Sequence, residues 1–210
     1  MPVPKSLEVL TPYQRHLRRW EGGCGTAECS RAGTVVVKAR GTGLPCDVLF
    51  VGEAPGVNED ALGRPFVGPA GHLLDDVIRR AIPEGVSYAL TNLVGCIPRD
   101  EDGKKAGTPE DEQIKACAGR LVELIGIAVP RLIVAVGKLP EEWLDPQYKR
   151  NCWAAGNPGK TTPAGGWPGT GIPRVAISHP AAILRAPVAQ QNLMIRRCVV
   201  TLTKAVEKLK

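Results

Sequence analysis

The chain has 210 residues, more than a typical domain of about 100–150 but fewer than two, so one domain with insertions is expected. Its 43% hydrophobic and 23% charged residues exclude a disordered or fibrous chain, and no apolar run approaches the roughly 18 residues of a membrane span. The 27 basic residues against 21 acidic ones give a net charge of +6, which favours a polyanionic partner.

Strands and helices are predicted to alternate along the chain. A basic amphipathic helix is expected over 11–20, ending at Gly22-Gly23, and a short strand over 34–37. Continuous apolar runs predict buried strands over 47–52, 88–94, 131–137 and 174–178. Helical spacing predicts further helices over 70–81, 108–127 (with Thr108 as its cap) and 188–210. The alternation predicts an α/β fold with a mostly parallel sheet.

The Gly- and Pro-rich segment over 143–171 lies between two of these strands. We interpret it as a long excursion from one sheet, with a hairpin over 148–154, because the strands on both sides belong together.

Ligands of such folds bind at the carboxyl ends of the parallel strands, where this sequence is distinctive. Taken singly, each of these segments has an ordinary interpretation as a turn or a loop. The segments are Gly-Glu-Ala-Pro-Gly-Val-Asn-Glu-Asp (52–60), Gly-Arg-Pro-Phe-Val-Gly-Pro-Ala-Gly (63–71), Thr91-Asn92 with Cys96, and Ser178-His179-Pro180 with Ile183-Leu184-Arg185.

Together these segments resemble the uracil-DNA glycosylase superfamily, most closely its family 4, the iron–sulfur type of bacteria, archaea and phages. The first motif of that family, Gly-Glu-(Ala/Gly)-Pro-Gly, two variable residues, Glu-Asp and then Gly-Arg-Pro-Phe-Val-Gly, is matched over 52–68. The resemblance extends over about 24–185. It implies a three-layer α/β/α fold around a central, mostly parallel four-stranded sheet, in a single domain over 1–210 with a basic helix and cluster-binding loop at about 11–33.

The resemblance also implies the activity. A family 4 enzyme would be a monofunctional uracil-DNA glycosylase of base-excision repair, which flips deoxyuridine out of DNA, hydrolyses its N-glycosidic bond and leaves an abasic site. Its partner would be uracil-containing DNA. We would expect a monomer in the cytoplasm, associated with the nucleoid and not with a membrane.

The resemblance assigns a uracil pocket to the strand ends. Phe66 would stack on uracil, and Asn92 would recognise the O4 and N3–H edge. Glu59 would occupy the space where thymine carries its methyl group, although Glu59 could also be only the acidic start of a helical turn. The backbone of Gly52 and Ala54 would complete the pocket.

Two side chains would act on the glycosidic bond. His179 would donate a hydrogen bond to uracil O2 as negative charge develops there, and a neutral imidazole suffices for this. Glu53 would hold or polarise the attacking water. The best-known uracil-DNA glycosylases place an aspartate one residue later, where this chain has Ala54, so the water must be handled differently here.

The segment after His179 would contact DNA. Ile183 and Leu184 would fill the space left by the flipped nucleotide, and Arg185 would hold a phosphate. The alternative is that the segment is a short amphipathic helix packed on the protein body.

Because we expect no export signal in this chain, its seven cysteines favour metal or redox chemistry over disulfides. The resemblance implies a [4Fe–4S] cluster, with zinc as the alternative, although four residues rather than the usual two separate the first pair of ligands. Cys46 could replace the second ligand, and Cys152 and Cys198 would remain thiols. The implied ligands are Cys24, Cys29, Cys96 and Cys117.

Two alternatives keep the same fold. One is a non-catalytic DNA-binding module, which the presence of Glu53, Phe66, Asn92 and His179 disfavours. The other is a relative that becomes covalently trapped on uracil-DNA. Such relatives carry a histidine in the loop after the second strand, whereas 100–105 here reads Asp-Glu-Asp-Gly-Lys-Lys.

Overall fold

A computed structural model describes residues 10–23, 36–98, 107–145 and 171–209. The hairpin expected over 148–154, and Cys24, Cys29 and Cys152, lie outside these ranges. Within them the helices are α1 (Pro12–Trp20), α2 (Val57–Leu62), α3 (Pro69–Ala81), α4 (Asp111–Ala128), α5 (Lys138–Leu144), α6 (Pro180–Arg185) and α7 (Val188–Glu207). The strands are β1 (Arg40–Gly41), β2 (Val48–Gly52), β3 (Tyr88–Asn92), β4 (Leu132–Val136) and β5 (Arg174–Ile177).

The sheet has the strand order β1-β3-β2-β4-β5. Strands β2 to β5 are parallel, and β1 pairs antiparallel with β3 at the edge. The mostly parallel sheet is therefore confirmed. The described sheet has five strands and not the predicted four, because the two-residue strand β1 is added at its edge. The described part of the predicted strand 34–37 is irregular, because the amide of Val37 donates to Gly95 O (2.8 Å) instead of pairing in the sheet.

Alternate side chains of the sheet bury against helices on its two faces. On one face, Leu49 and Val51 of β2 pack with α4 and α5. On the other, Val48 and Phe50 pack with α3, α6 and α7. All of β2 is buried, as expected for a central parallel strand. The predicted three-layer α/β/α arrangement is confirmed.

Helix α1 forms a further layer outside α4. It begins with a capping box, in which Gln14 N donates to Thr11 Oγ1 (3.2 Å) and Thr11 N donates to Gln14 Oε1 (2.7 Å). Its inner face meets α4 at Glu123, where Trp20 Nε1 donates to Oε2 (2.8 Å) and buried His16 Nδ1 lies 3.6 Å from Oε1. The predicted basic helix is confirmed, and its inward histidine is an addition.

The start of α4 differs from the prediction. Glu110, not Thr108, is the N-cap, and it forms a capping box in which Glu110 N donates to Gln113 Oε1 (3.1 Å). Thr108 instead contributes a side-chain hydrogen bond to Glu53, at the end of β2. No helix within the described ranges combines the length and the apolar character that crossing a membrane requires.

Candidate active site

The predicted segments meet at one edge of the sheet. Because β2 to β5 are parallel, their carboxyl ends lie together, and the register pairs Gly52 with Asn92. Val136 pairs with Ile177 in the same way, which brings Gly137 close to His179. The loops after β2, β3, β4 and β5 therefore surround a common site, as the order of the motifs predicted.

Gly52, Phe66 and Asn92 form a tight group at the centre of this edge. A Cβ atom at Gly52 would lie 2.3 Å from Phe66 Cζ and 2.5 Å from Asn92 Oδ1. The absence of a side chain at Gly52 is thus what lets an aromatic ring and an amide approach the end of β2 together. Phe66 and Asn92 are both buried in this conformation.

The backbone of Phe66 has a left-handed conformation, with φ of 55°, which a bulky residue rarely adopts. The first turn of α3 packs directly on this residue, since a Cβ atom at Gly71 would lie 1.7 Å from Phe66 O. The ring is therefore set by an unusual backbone conformation that its surroundings must maintain.

Glu59 braces the loops on both sides of α2. Its Oε2 accepts from Gly56 N (3.1 Å), and its Oε1 accepts from Val67 N (2.8 Å) and Gly68 N (2.9 Å). Both carboxylate oxygens thus bind backbone amides. Glu59 also lies in the first turn of α2, as its second interpretation, the acidic start of a helical turn, expects. The hydrogen bonds add a structural role that neither interpretation included. Ala54, also predicted to line the pocket, packs against the core on the α4 side.

His179 is the N-cap of α6. Its Nδ1 accepts a hydrogen bond from Ala181 N (3.2 Å), so in the neutral ring the proton resides on Nε2. Burial lowers the pKa of His179, and the positive charge of Arg185 lowers it further. The ring is therefore a neutral Nε2–H donor at pH 7.

Gly137 provides room for this histidine. Its φ is +103°, and a Cβ atom there would lie 3.1 Å from His179 Cβ and 3.3 Å from Cδ2. The sequence indicated only that Gly137 ends a strand. In the structure Gly137 packs directly against the His179 side chain.

Glu53 is half-buried at the end of β2. Burial raises the pKa of its carboxyl, while the Thr108 hydrogen bond and the charge of Arg185 lower that pKa in part. Glu53 O accepts from Val94 N (3.3 Å), which ties its backbone to the segment after β3. Arg185 lies close enough to Glu53 and to His179 for its positive charge to lower the pKa of each.

The two predicted wedge residues have different surroundings. Ile183 is 1% exposed and belongs to the core between the sheet and α7, whereas Leu184 is 44% exposed. The helical phase of α6 turns Ile183 inward in this conformation, so the insertion of Ile183 into DNA stays a prediction. Leu184 and Arg185 remain on the surface.

Arg120 of α4 holds the end of β3 and was not predicted. Its buried guanidinium donates to Asn92 O (2.5 Å), Leu93 O (3.3 Å) and Thr91 Oγ1 (3.4 Å). An arginine on the apolar stripe of a helix was the one signal that could have drawn attention to it. Through these contacts α4 fixes the backbone that carries the Asn92 amide.

Two of the four predicted metal ligands lie in the described residues. Cys96 follows β3 and Cys117 lies on α4, and both are buried. Gly95 N donates to Cys117 Sγ (3.4 Å), the kind of contact that stabilises a metal-bound thiolate. A Cβ atom at Gly119 would lie 3.4 Å from Trp20, so the end of α1 lies near this part of α4. Gly23, the last described residue before Cys24 in the sequence, follows the end of α1.

Cys46 does not fit the alternative ligand position. It precedes β2, whereas Cys96 follows the parallel neighbour β3, so the full length of the sheet separates them. The four steps from Val48 to Gly52 alone span about 13 Å.

Comparison with known proteins gives one consistent result. The family model for the uracil DNA glycosylase superfamily matches residues 42–203. A type-4 uracil-DNA glycosylase of Pyrobaculum aerophilum is 36% identical over 140 residues, 67% of this chain and 69% of that protein. That of Archaeoglobus fulgidus is 30% identical over 147 residues, 70% and 71% of the two chains. That of Sulfurisphaera tokodaii is 42% identical over 100 residues, 47% and 43% of the two chains. With this match and this site, the chain belongs to the uracil-DNA glycosylase superfamily.

Proposed function

We propose that this protein is a monofunctional uracil-DNA glycosylase, which hydrolyses the N-glycosidic bond of deoxyuridine in DNA, releases uracil and leaves an abasic site for base-excision repair. The observation that carries the proposal is the neutral Nε2–H donor of His179 at the same sheet edge as Phe66 and Asn92. The type-4 relatives support the same activity.

Phe66 and Asn92 supply recognition in this proposal. The Phe66 ring offers a face for the flipped base, and the Asn92 amide offers one acceptor for uracil N3–H and donors for O4. Cytosine presents an acceptor at N3 and an amino group at C4, so the same amide orientation would leave mismatched groups. Glu59 contributes by holding the loop that contains Phe66.

His179 and Glu53 supply the chemistry. The bond between C1′ and uracil N1 breaks with its electron pair moving to the base, and negative charge develops on uracil O2. His179 Nε2–H donates to that oxygen in a site where its pKa keeps the ring neutral. Glu53 accepts a proton from water as the water oxygen bonds to C1′. Arg185 binds a phosphate beside the site, and exposed Leu184 occupies the space left in the DNA.

Cys24, Cys29, Cys96 and Cys117 would hold a [4Fe–4S] cluster, with zinc as the alternative ion. The buried thiols of Cys96 and Cys117 and the Gly95 amide beside the Cys117 sulfur fit this donor set. Such a group would connect the segment after α1 with α4 and with the end of β3. Its role would be structural, because the hydrolysis requires no electron transfer. A monomer acting in the nucleoid stays a prediction.

Replacing Cys117 by serine is expected to remove most of the bound metal, whereas replacing Cys46 by serine leaves it in place, because Cys46 lies at the other end of the sheet. The measurement is iron, sulfide and zinc content with the visible absorbance of anaerobically purified protein. Equal metal loss in both variants would contradict the assignment. Bound zinc with no iron and no sulfide would indicate that the four cysteines hold a zinc ion and not a cluster.

The activity is tested with an oligonucleotide that contains one uracil. We expect alkali-sensitive cleavage at uracil and release of the free base, with no cleavage before alkali. Matched oligonucleotides with thymine or cytosine at that position are the controls. Tight binding without abasic sites would indicate a binding module, and an adduct that survives denaturation would indicate covalent trapping.

A further inference from the structure

The peptide bond between Phe66 and Val67 is held from both of its polar sides. Arg40 Nη2 donates to Phe66 O (2.8 Å), and Arg40 Nε donates to the preceding carbonyl, Pro65 O (2.6 Å). On the other side, Val67 N donates to Glu59 Oε1 (2.8 Å). One charged side chain thus fixes the carbonyl of this peptide and another fixes its amide.

The position of Arg40 depends on the short strand β1. Arg40 pairs with Leu90 of β3, two residues before Asn92, so the edge strand carries the guanidinium to the loop of Phe66. Its Nη2 also lies 2.8 Å from Asp75 Oδ1 of α3, and the side chain is 14% exposed. The guanidinium therefore connects β1, the loop and α3 while largely shielded from water.

The backbone that Arg40 binds has an unfavourable conformation at Phe66. Phe66 has φ of 55°, a conformation that costs a bulky residue free energy and persists only when its surroundings impose it. Hydrogen bonds to a charged donor are about twice as strong as neutral ones, and the planar fork of arginine can bind two carbonyls and a carboxylate at once. Lysine offers a single point charge and cannot reproduce this geometry.

We propose that Arg40 is a positioning residue for uracil binding. By binding the carbonyls of Pro65 and Phe66, it holds Phe66 in the left-handed conformation and so presents the Phe66 ring to the flipped base. The proposal rests on the proposed function of Phe66. Arg40 acts through the backbone and touches neither uracil nor the reacting atoms.

The chain contains two phenylalanines, Phe50 and Phe66, which makes the ring directly observable. Protein labelled with fluorophenylalanine gives two ¹⁹F resonances, assigned with Phe66→Leu, and uracil base is the titrant. Phe50, buried in β2, reports on global folding. The variants are Arg40→Met and Arg40→Lys. Arg80→Met is the control, because Arg80 is an exposed arginine that pairs with Asp76 on α3.

In the wild-type protein we expect uracil to move the Phe66 resonance and leave Phe50 unchanged. In both Arg40 variants the Phe66 resonance of the uracil-free protein should shift or broaden while Phe50 stays. The dissociation constant for uracil and the KM for uracil-DNA should rise about tenfold, and kcat should change less than about threefold. Arg80→Met should match wild type.

An unchanged Phe66 resonance and unchanged uracil affinity in the Arg40 variants would overturn the proposal, as would a fall in kcat with uracil affinity intact. If Phe50 also changes in Arg40→Met, that variant is misfolded and Arg40→Lys decides. A wild-type protein that neither binds uracil nor cleaves uracil-DNA would overturn the proposed function and this inference together. An active wild type with insensitive Arg40 variants overturns the inference alone.

Discussion

The His179→Ala variant is expected to lose about 10²–10³-fold in kcat, the usual cost of removing one hydrogen bond aimed at developing negative charge. The neutral Nε2–H of His179 is the donor we assign to uracil O2, and alanine leaves no group in its place. The measurement is single-turnover base release at saturating uracil-DNA. Affinity for the same DNA should change little, since the contact strengthens only as the bond breaks.

Two controls separate this role from loss of structure. His72→Ala removes an exposed histidine of α3 and should leave the rate unchanged.

The pH dependence of the wild-type rate gives the second control. The pKa of His179 is lowered, so the rate should stay constant as pH falls from neutral through about 6.5, the ordinary histidine value. At acidic pH the rate should decline as Glu53 takes up a proton, and because burial raises the pKa of Glu53 this decline should begin at a higher pH than for an exposed glutamate. A rate that rises as pH falls through 6.5 would instead mean that the charged imidazolium is the active form.

The Gly52→Ala variant is expected to lose at least about 100-fold in kcat/KM, an effect comparable to the loss of a key contact in a tight pocket. The added methyl would lie 2.3 Å from the Phe66 ring and 2.5 Å from the Asn92 amide, so at least one of them must move. Overpacking of this kind also costs about 1–3 kcal/mol of stability. Base release and thermal unfolding measure the two effects separately.

Gly126→Ala is the matched control for this substitution. Gly126 lies in the interior of α4, and no neighbouring atom lies within 4 Å of a Cβ atom placed there. Alanine at this position should stabilise the protein by about 0.5–1 kcal/mol and leave activity unchanged. Wild-type activity in Gly52→Ala would mean that the Phe66 and Asn92 groups do not form the uracil pocket.

The sequence was most informative where one local pattern determines the structure. Continuous apolar runs located β2, β3, β4 and β5 within about two residues, because buried parallel strands need apolar side chains on both faces. The shared site followed from this, since parallel strands end at the same edge. Strand β1 was missed because two residues carry no periodicity, and only pairing with β3 makes them a strand.

Contacts between distant segments could not be predicted from the sequence. Arg40 binds carbonyls 25 and 26 residues away, and Arg120 binds the Asn92 carbonyl 28 residues away, so no local spacing reveals either. Ile183 and Leu184 are adjacent and equally apolar, and only the packing of α6 on the core decides which one is buried. Thr108 looked like a helix cap because a residue before proline often is one, yet its hydrogen bond goes to Glu53.

The left-handed backbone of Phe66 bears on how this protein would evolve in the laboratory. A bulky residue in that conformation costs about 1–2 kcal/mol, but the Phe66 side chain is buried, and removing such a ring costs about 3–5 kcal/mol of packing. Asparagine or glycine at position 66 would therefore relieve the backbone strain and still lower the stability of the protein. A library selected only for heat resistance should keep a large apolar side chain at position 66, and selection for repair in living cells should narrow that choice to an aromatic ring.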